Sequence, residues 1–424
     1  MERQYTIIEA LGSGGMGTVY LARREGPAGF SKQVAIKLAS ERMTEREALM
    51  ILADEARALG VIRHRAIVKT DGLVRLGGMW ALVMEYVEGV NLHALGETSR
   101  VPLRAALMTV SEVAGALHAA QLSQSPGDGG ATGLIHRDIK PANLLITPFG
   151  DVKILDFGIS LSAMSGHGTR SIDTIEGSVA YLAPERFSGV EGPKADIYAL
   201  GAVLYEVLVG EAFGPTVSQR KAHDTRLAQA GDSLAATEAA ACVGLRDFIL
   251  AMLAYEPSHR PTAREVERHC ETWATQAPGL GLRDYAELAV PALIDQERYR
   301  IAVSGGQLLP EGTVLVEESA PNTGPLVQTW TPRTPSSGGM GLVGHAEPAT
   351  SPIEILRALL SQQEPETVHR IPRSYGPETG ALNTEHWLED STMVGYLAWF
   401  AGITLLIALG LCVFVVAQMM GGMQ

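Results

Sequence analysis

Apolar and polar residues alternate along the first part of the chain and regroup into longer stripes beyond it. Tyr5-Thr6-Ile7-Ile8, Thr18 to Arg23, Gln33 to Leu38 and Ala81 to Tyr86 carry the strand pattern. Between them, Thr44 to Val61 has helical spacing, with Ala48, Leu52, Ala56 and Leu59 on one face. Past Leu92 helices take over: Leu103 to Leu122 is one and Lys194 to Val209 another. This pattern predicts an α+β fold of two lobes, a small β-rich one followed by a larger helical one. Ser123 to Gly133 (SQSPGDGGATG) is a loop by composition.

After about Ala277 the periodicity weakens, and the 320s to Thr350 are rich in Pro, Gly, Ser and Thr. Such a stretch buries too little apolar surface to offset its ordering entropy, so it reads as a disordered linker. Within it Tyr299 to Glu318 alternates like strands, and Ile353 to Leu360 reads as a helical turn or two. Met393 to Ala417 then runs without a charged residue, with Tyr396 and Trp399 near one end. About 20 apolar residues in helix cross a bilayer, and aromatic side chains suit its interface. The expected organisation is a folded domain at 1–275, a largely disordered linker at 276–392, a transmembrane helix at 393–417 and a short tail at 418–424.

A net charge of −13 argues against general nucleic-acid binding. The three cysteines, Cys242, Cys270 and Cys412, form no CxxC pair or ligand cluster, which argues against a structural zinc site and fits a reducing cytoplasm. The start of the chain lacks the basic and apolar regions of a signal peptide.

Three motifs carry chemistry. Leu11-Gly12-Ser13-Gly14-Gly15-Met16-Gly17-Thr18-Val19 fits G-x-G-x-x-G-x-V. Its glycines let backbone N–H groups approach phosphates. A dinucleotide fingerprint has the same spacing but leads into a helix, whereas Val19 to Arg23 continues as strand. Val34-Ala35-Ile36-Lys37 places a lysine inside an apolar strand, where it needs anionic partners. ATP phosphates and Glu55, on the inner face of the next helix, are the candidates. Ile135-His136-Arg137-Asp138-Ile139-Lys140-Pro141-Ala142-Asn143 puts a carboxylate, a cation and an amide in one loop. Asp138 can orient a substrate hydroxyl, Lys140 can neutralise γ-phosphate charge, and Asn143 can bind magnesium through its amide oxygen. Leu155-Asp156-Phe157-Gly158 adds a second hard oxygen ligand, Asp156.

In this order the motifs resemble those of the eukaryotic-type (Hanks-type) protein kinases. The resemblance runs from about Tyr5 to Glu271 and extends to Ala183-Pro184-Glu185, to Asp196-Ile197-Tyr198-Ala199-Leu200-Gly201 and to Arg260, the expected partner of Glu185. Gly-Gly-Met-Gly with Asp-Ile-Lys-Pro-Ala-Asn is similar to bacterial members, and Gly29 to Lys32 resembles an insertion of myxobacterial-type kinases. The resemblance implies ATP and Mg2+ as cofactors and Ser/Thr residues of proteins as substrates. It makes Lys37, Glu55, Asp138 and Lys140 the catalytic set, and Asn143 and Asp156 the metal ligands. It gives the nucleotide Leu11 to Gly17, Val19, Ala35, Lys37, Glu85, Val87 and Leu145, with Met84 as gatekeeper. Ser/Thr rather than Tyr specificity rests, by this resemblance, on Lys140 and on Gly177-Ser178, where a threonine hydroxyl is usual at the Ser178 position. Arg65 stands where the family usually has proline.

The alternative reading is an ATP-binding pseudokinase or scaffold. Such a chain lacks the strand lysine, the catalytic aspartate or the metal aspartate, and Lys37, Asp138 and Asp156 are all present. ATP is cytoplasmic, so the expected location is a single-pass protein of the cell (inner) membrane with its kinase domain inside. Self-association for autophosphorylation is an expected partnership. Thr169, Ser171 and Thr174 are expected phosphorylation sites, because Arg137 beside the catalytic aspartate calls for an anionic partner.

Overall fold

The structure, a computed structural model, describes residues 3–14, 17–98, 100–123, 133–156, 179–215, 219–304 and 309–318. All of them fall within Met1–Gln363, one of the two units into which the chain divides. The 393–417 run expected to span a membrane lies outside the described residues. No described helix is long and apolar enough to cross a membrane.

Five antiparallel strands form the first layer, in spatial order β1 (Gln4–Gly14), β2 (Gly17–Glu25), β3 (Ser31–Ala39), β5 (Met79–Glu85) and β4 (Thr70–Leu76). Tyr5, Ile7, Tyr20, Val34, Ile36 and Val83 point to one face and make a small core of their own. The opposite face, including Ala35, Leu82 and Met84, joins the main core. Gly17 is obligatory at the turn from β1 to β2: its φ is +145°, and a Cβ there would lie 2.0 Å from the Leu38 carbonyl oxygen.

Helix α1 (Glu45–Val61) covers this face of the sheet. It starts at Thr44 because Thr44 and Glu47 form a reciprocal capping box. Its buried stripe is Ala48, Ile51, Leu52, Glu55, Ala58 and Leu59, so a carboxylate sits in an otherwise apolar row. Ala56, expected on that face, is only half buried.

The helical lobe is built around α3 (Leu103–Leu122) and α4 (Pro193–Val209), both buried over most of their surface, with α2 (Leu92–Thr98) before them. Later come α5 (Arg220–Ala235), α6 (Leu245–Met252) and α7 (Ala263–Gln276). Helix α7 packs along α3. A three-stranded sheet of β6 (Val90–Asn91), β7 (Leu144–Ile146) and β8 (Val152–Ile154) lies between the strand-rich and helical parts.

The chain departs from expectation after Ala277. Part of the stretch read as linker is helix α8 (Leu282–Ser304) followed by strand β9 (Val314–Glu318). Leu282, Tyr285, Ala286, Val290 and Leu293 of α8 are buried, and the helix packs against α2, α3, β6 and β1. Tyr299 to Ser304, read as strand, is the end of this helix. Strand β9 then pairs with both β1 and β4 and closes the sheet into a six-stranded barrel. The physical cause is that β1 and β4 each have an open edge, and unpaired strand edges seek a partner. Leu315 enters the small core with Tyr5, Ile7 and Leu76, and Tyr5 donates a hydrogen bond to Glu317 (3.1 Å). Leu315→Asp is therefore expected to destabilise the fold by about 2–3 kcal/mol, since it buries a charge without a partner. An unchanged melting curve would mean that β9 contributes nothing to the barrel.

Candidate active site

Lys37 lies mid-strand on β3 between buried Ile36 and Leu38. Its Nζ sits 3.0 Å from both oxygens of Glu55 and 2.6 Å from Oδ1 of Asp156. Three elements distant in sequence, β3, α1 and the end of β8, thus meet at one ammonium. Burial alone would lower the Lys37 pKa, but the charges of Asp156 and Glu55 outweigh it and hold the group firmly cationic. Burial pushes the Glu55 carboxyl up, against the lowering pull of Lys37. The Lys37 charge is the main reason that Asp156 is held below the usual carboxylate range.

The loop after α3 carries the second group of side chains. Asp138 accepts a bond from Asn143 Nδ2 (2.9 Å) and pairs with Lys140 Nζ (2.9 Å). Asn143 also donates to the Asp138 carbonyl (2.8 Å). Its amide nitrogen is thereby committed to Asp138, and its oxygen is the atom type a hard cation takes. With the half-exposed Asp156 this makes a donor set suited to a divalent cation completed by phosphate oxygens. Among the described residues no three His, Cys, Asp or Glu side chains cluster as metal ligands, and a site completed by a nucleotide needs no such cluster.

This loop is held from beneath. Asp196 in the first turn of α4 accepts the backbone N–H groups of His136 (2.7 Å) and Arg137 (2.8 Å). Burial pushes the Asp196 carboxyl up, while these two backbone bonds favour its ionised form. Arg137 and Asp156 both adopt left-handed backbone, φ 72° and 50°. Such residues cost of order 1–3 kcal/mol and persist only where the surroundings over-determine them.

The glycine-rich motif spans the end of β1 and the start of β2. Leu11, Gly12, Ser13 and Gly14 end β1, and Gly17 and Val19 begin β2. Ser13 and Thr18 hydroxyls meet at 3.2 Å across the turn. Gly15 and Met16 lie outside the described residues. Leu11 and Val19 pack, half buried, against the core that holds Ala35 and Met84. Ala35 and Met84 are paired in the β3–β5 ladder, Leu145 is on β7, and Val87 follows β5. Glu85 at the end of β5 is tied down by its side chain: it takes Lys153 Nζ (2.6 Å) and the Lys69 N–H (3.0 Å).

Of the expected catalytic and metal residues, Lys37, Glu55 and Asp156 form one bonded group and Asp138, Lys140 and Asn143 a second, and the Leu155 N–H, next to Asp156, donates to the Asn143 carbonyl (2.8 Å). The structure also joins Arg260 to Glu185 in a two-bond pair (2.7 and 2.8 Å). Thr169, Ser171, Thr174 and Ser178 lie outside the described residues. The premise for a phosphate at the first three is altered, because Arg137 has a carboxylate partner, Glu191, at 2.7 Å. Glu191, Arg186 and Lys153 were missed in the sequence. None stands in a motif, and each is defined only by partners far along the chain.

Residues 5–270 match the family described as protein kinase domain. Serine/threonine-protein kinase PrkC of Bacillus subtilis (strain 168) is 31% identical over 333 residues, 76% of this chain and 49% of PrkC. Tyrosine-protein kinase MasK of Myxococcus xanthus (strain DK1622) is 35% identical over 211 residues, 48% of this chain and 32% of MasK. Serine/threonine-protein kinase PknL of Mycobacterium tuberculosis is 34% identical over 213 residues, 50% of each chain. The chain spans about half the length, or less, of these curated relatives.

Proposed function

Because the chain belongs to the protein kinase domain family, we propose that it transfers the γ-phosphoryl group of ATP to Ser and Thr hydroxyls of proteins. The observation that carries this reading is the Lys37 node, in which one buried ammonium bridges Glu55 and Asp156. An inactive scaffold is marked by loss of the strand lysine, the catalytic aspartate or the metal aspartate, and Lys37, Asp138 and Asp156 are all present. In the reaction, Lys37 aligns the phosphates and Asp138 orients the attacking hydroxyl, with Lys140 beside it balancing negative charge. Asn143 and Asp156 would hold the divalent ion, for which Mg2+ is the choice because it keeps few protein ligands and takes phosphate oxygens. Bound there, it would supply neutralisation of charge on the transferred group. The protein's work is positioning and electrostatics.

Lys140, paired with Asp138, supports Ser/Thr rather than Tyr as acceptor. The similarity to a relative named as a tyrosine kinase makes acceptor identity the point to measure. The uncharged run at 393–417 supports a single membrane span, with the kinase on the ATP-containing, cytoplasmic side. Two copies confined to one membrane would meet at raised effective concentration, which suits autophosphorylation between them.

One experiment addresses these points together. The full chain should pellet with membranes, resist carbonate and require detergent for release. The released protein should place label from γ-labelled ATP on Ser and Thr of a generic basic protein. Phosphotyrosine as the main product would reverse the acceptor assignment. Extraction by carbonate alone would remove the span.

A further inference from the structure

Arg137 is gripped at three points. Its N–H is bonded to Asp196 (2.8 Å), its carbonyl accepts from Arg186 Nη1 (2.6 Å), and its guanidinium pairs with Glu191 (2.7 Å). The other oxygen of Glu191 lies 3.7 Å from Arg186 Nη2. One carboxylate therefore stands between two arginines, and one of those arginines in turn holds the backbone of the other. All three side chains are largely shielded: 18% of Arg137, 14% of Arg186 and 32% of Glu191 is exposed.

Glu191 is carried by a stiff support. It lies between a single turn of 3-10 helix (Pro184–Ser188) and the start of α4. Gly189, left-handed at φ 74°, ends that turn, and the N–H of Val190 bonds the Glu185 carbonyl (3.2 Å). Glu185 is in turn locked to buried Arg260. The carboxylate is thus presented on fixed backbone one residue away from α4's N-cap, Gly192. A partner fixed in advance loses less entropy on pairing than one on a loop that must first be ordered.

We propose that Glu191 is a positioning residue for phosphoryl transfer, holding Arg137, and through it Asp138, in the place of an activation-loop phosphate. This rests on the kinase reading above and names how that site is kept in register. Asp138 directly follows Arg137, whose left-handed backbone sets the direction in which Asp138 leaves the chain. Loss of the Glu191 charge removes this ion pair from both guanidiniums and weakens the hold on that backbone. Small displacements of a positioned group cost up to about a hundredfold in rate. A phosphate on Thr169, Ser171 or Thr174 is the competing source of negative charge for Arg137.

The test compares the full wild-type chain in detergent with three variants of it: Glu191→Gln, Glu191→Asp, and Thr169, Ser171 and Thr174 replaced together by alanine. Transfer to a basic protein is followed as kcat and ATP KM, with melting curves alongside. Glu191→Gln is expected to lose about ten- to a hundredfold in kcat with ATP KM and melting little changed. Glu191→Asp, which keeps the charge, should recover much of the loss, and the triple alanine variant should stay within about threefold of wild type. Glu191→Gln at wild-type kcat would overturn the proposal. So would a triple variant as slow as Glu191→Gln, which would assign the anion to a loop phosphate. A loss that follows melting and is the same for Asp as for Gln would reduce Glu191 to a structural role. A wild type without transfer would remove the kinase reading itself, a result distinct from all of these.

Discussion

Lys37→Met is expected to slow phosphoryl transfer by about a hundred- to a thousandfold or more, and Asp156→Asn to do the same. Lys37 is 6% exposed, and its ammonium touches two carboxylates. Methionine keeps the length and the apolar stem but has no charge with which to align phosphates. The fold should survive the change. Burial already pushes the Glu55 carboxyl up to about 7 with Lys37 present. Without the lysine, Glu55 takes up a proton at neutral pH and avoids standing as a bare buried charge. The expected signature is thus a large fall in rate with a melting midpoint lower by only a few degrees. Asp156→Asn removes an anionic ligand and leaves Lys37 to Glu55 alone. Label transfer from ATP by either purified variant at near the wild-type rate would refute the roles given to both residues.

The catalytic core was legible because its residues stand in short runs whose chemistry is local. Asp138, Lys140 and Asn143 lie within six positions of one another, and the structure joins them by direct bonds. Helix α1 was readable for a similar reason: its cap, Thr44 with Glu47, is a local device. Glu55 was placed correctly because a carboxylate at an apolar periodic position needs a cation. Where the partners are remote, the sequence does not show the pairing. Strand β4 was not expected, since Asp71, Gly72 and Arg75 break its alternation; it forms because β5 supplies a register for it. Strand β9 falls within Tyr299 to Glu318, the stretch whose alternation reads as strand, but its five residues give no sign of what they pair with. It exists because β1 and β4, hundreds of positions earlier, present open edges. Helix α8 carries an internal proline, Pro291, and a weak apolar stripe, so its pattern resembles linker until α2 and α3 give it a surface. Arg137 shows the same limit at the site. Its need for an anion could be read from its neighbours, but Glu191, the anion found there, could not.

The largest loss of stability is expected from Arg260→Met. The Arg260 side chain is fully buried and makes a two-bond pair with Glu185. It also donates to the carbonyls of Ala254 (2.8 Å), Lys194 (2.9 Å) and Tyr255 (3.0 Å), and its guanidinium lies over the Tyr198 ring at 4.9 Å. One cation thus ties the turn at Glu185 to α4 and to the segment before α7. Removing it leaves the Glu185 carboxylate, 11% exposed, without its partner. Breaking a buried pair from one side costs about 3–5 kcal/mol, much more than the pair itself is worth. For a unit of this size about 1 kcal/mol corresponds to 2–4 °C, so the midpoint should fall by roughly ten degrees. The double variant Glu185→Gln with Arg260→Met removes both charges and should recover a good part of that loss, because a neutral amide is cheaper to bury than a carboxylate. Activity should not recover in step. Glu185 also fixes the turn that presents Glu191 to Arg137, and a glutamine without Arg260 holds that turn less firmly. Melting and transfer measured on the two variants separate these effects. A single variant that melts within about two degrees of the wild type would show that Glu185 finds another cation or water, and that Arg260 is not the tie described.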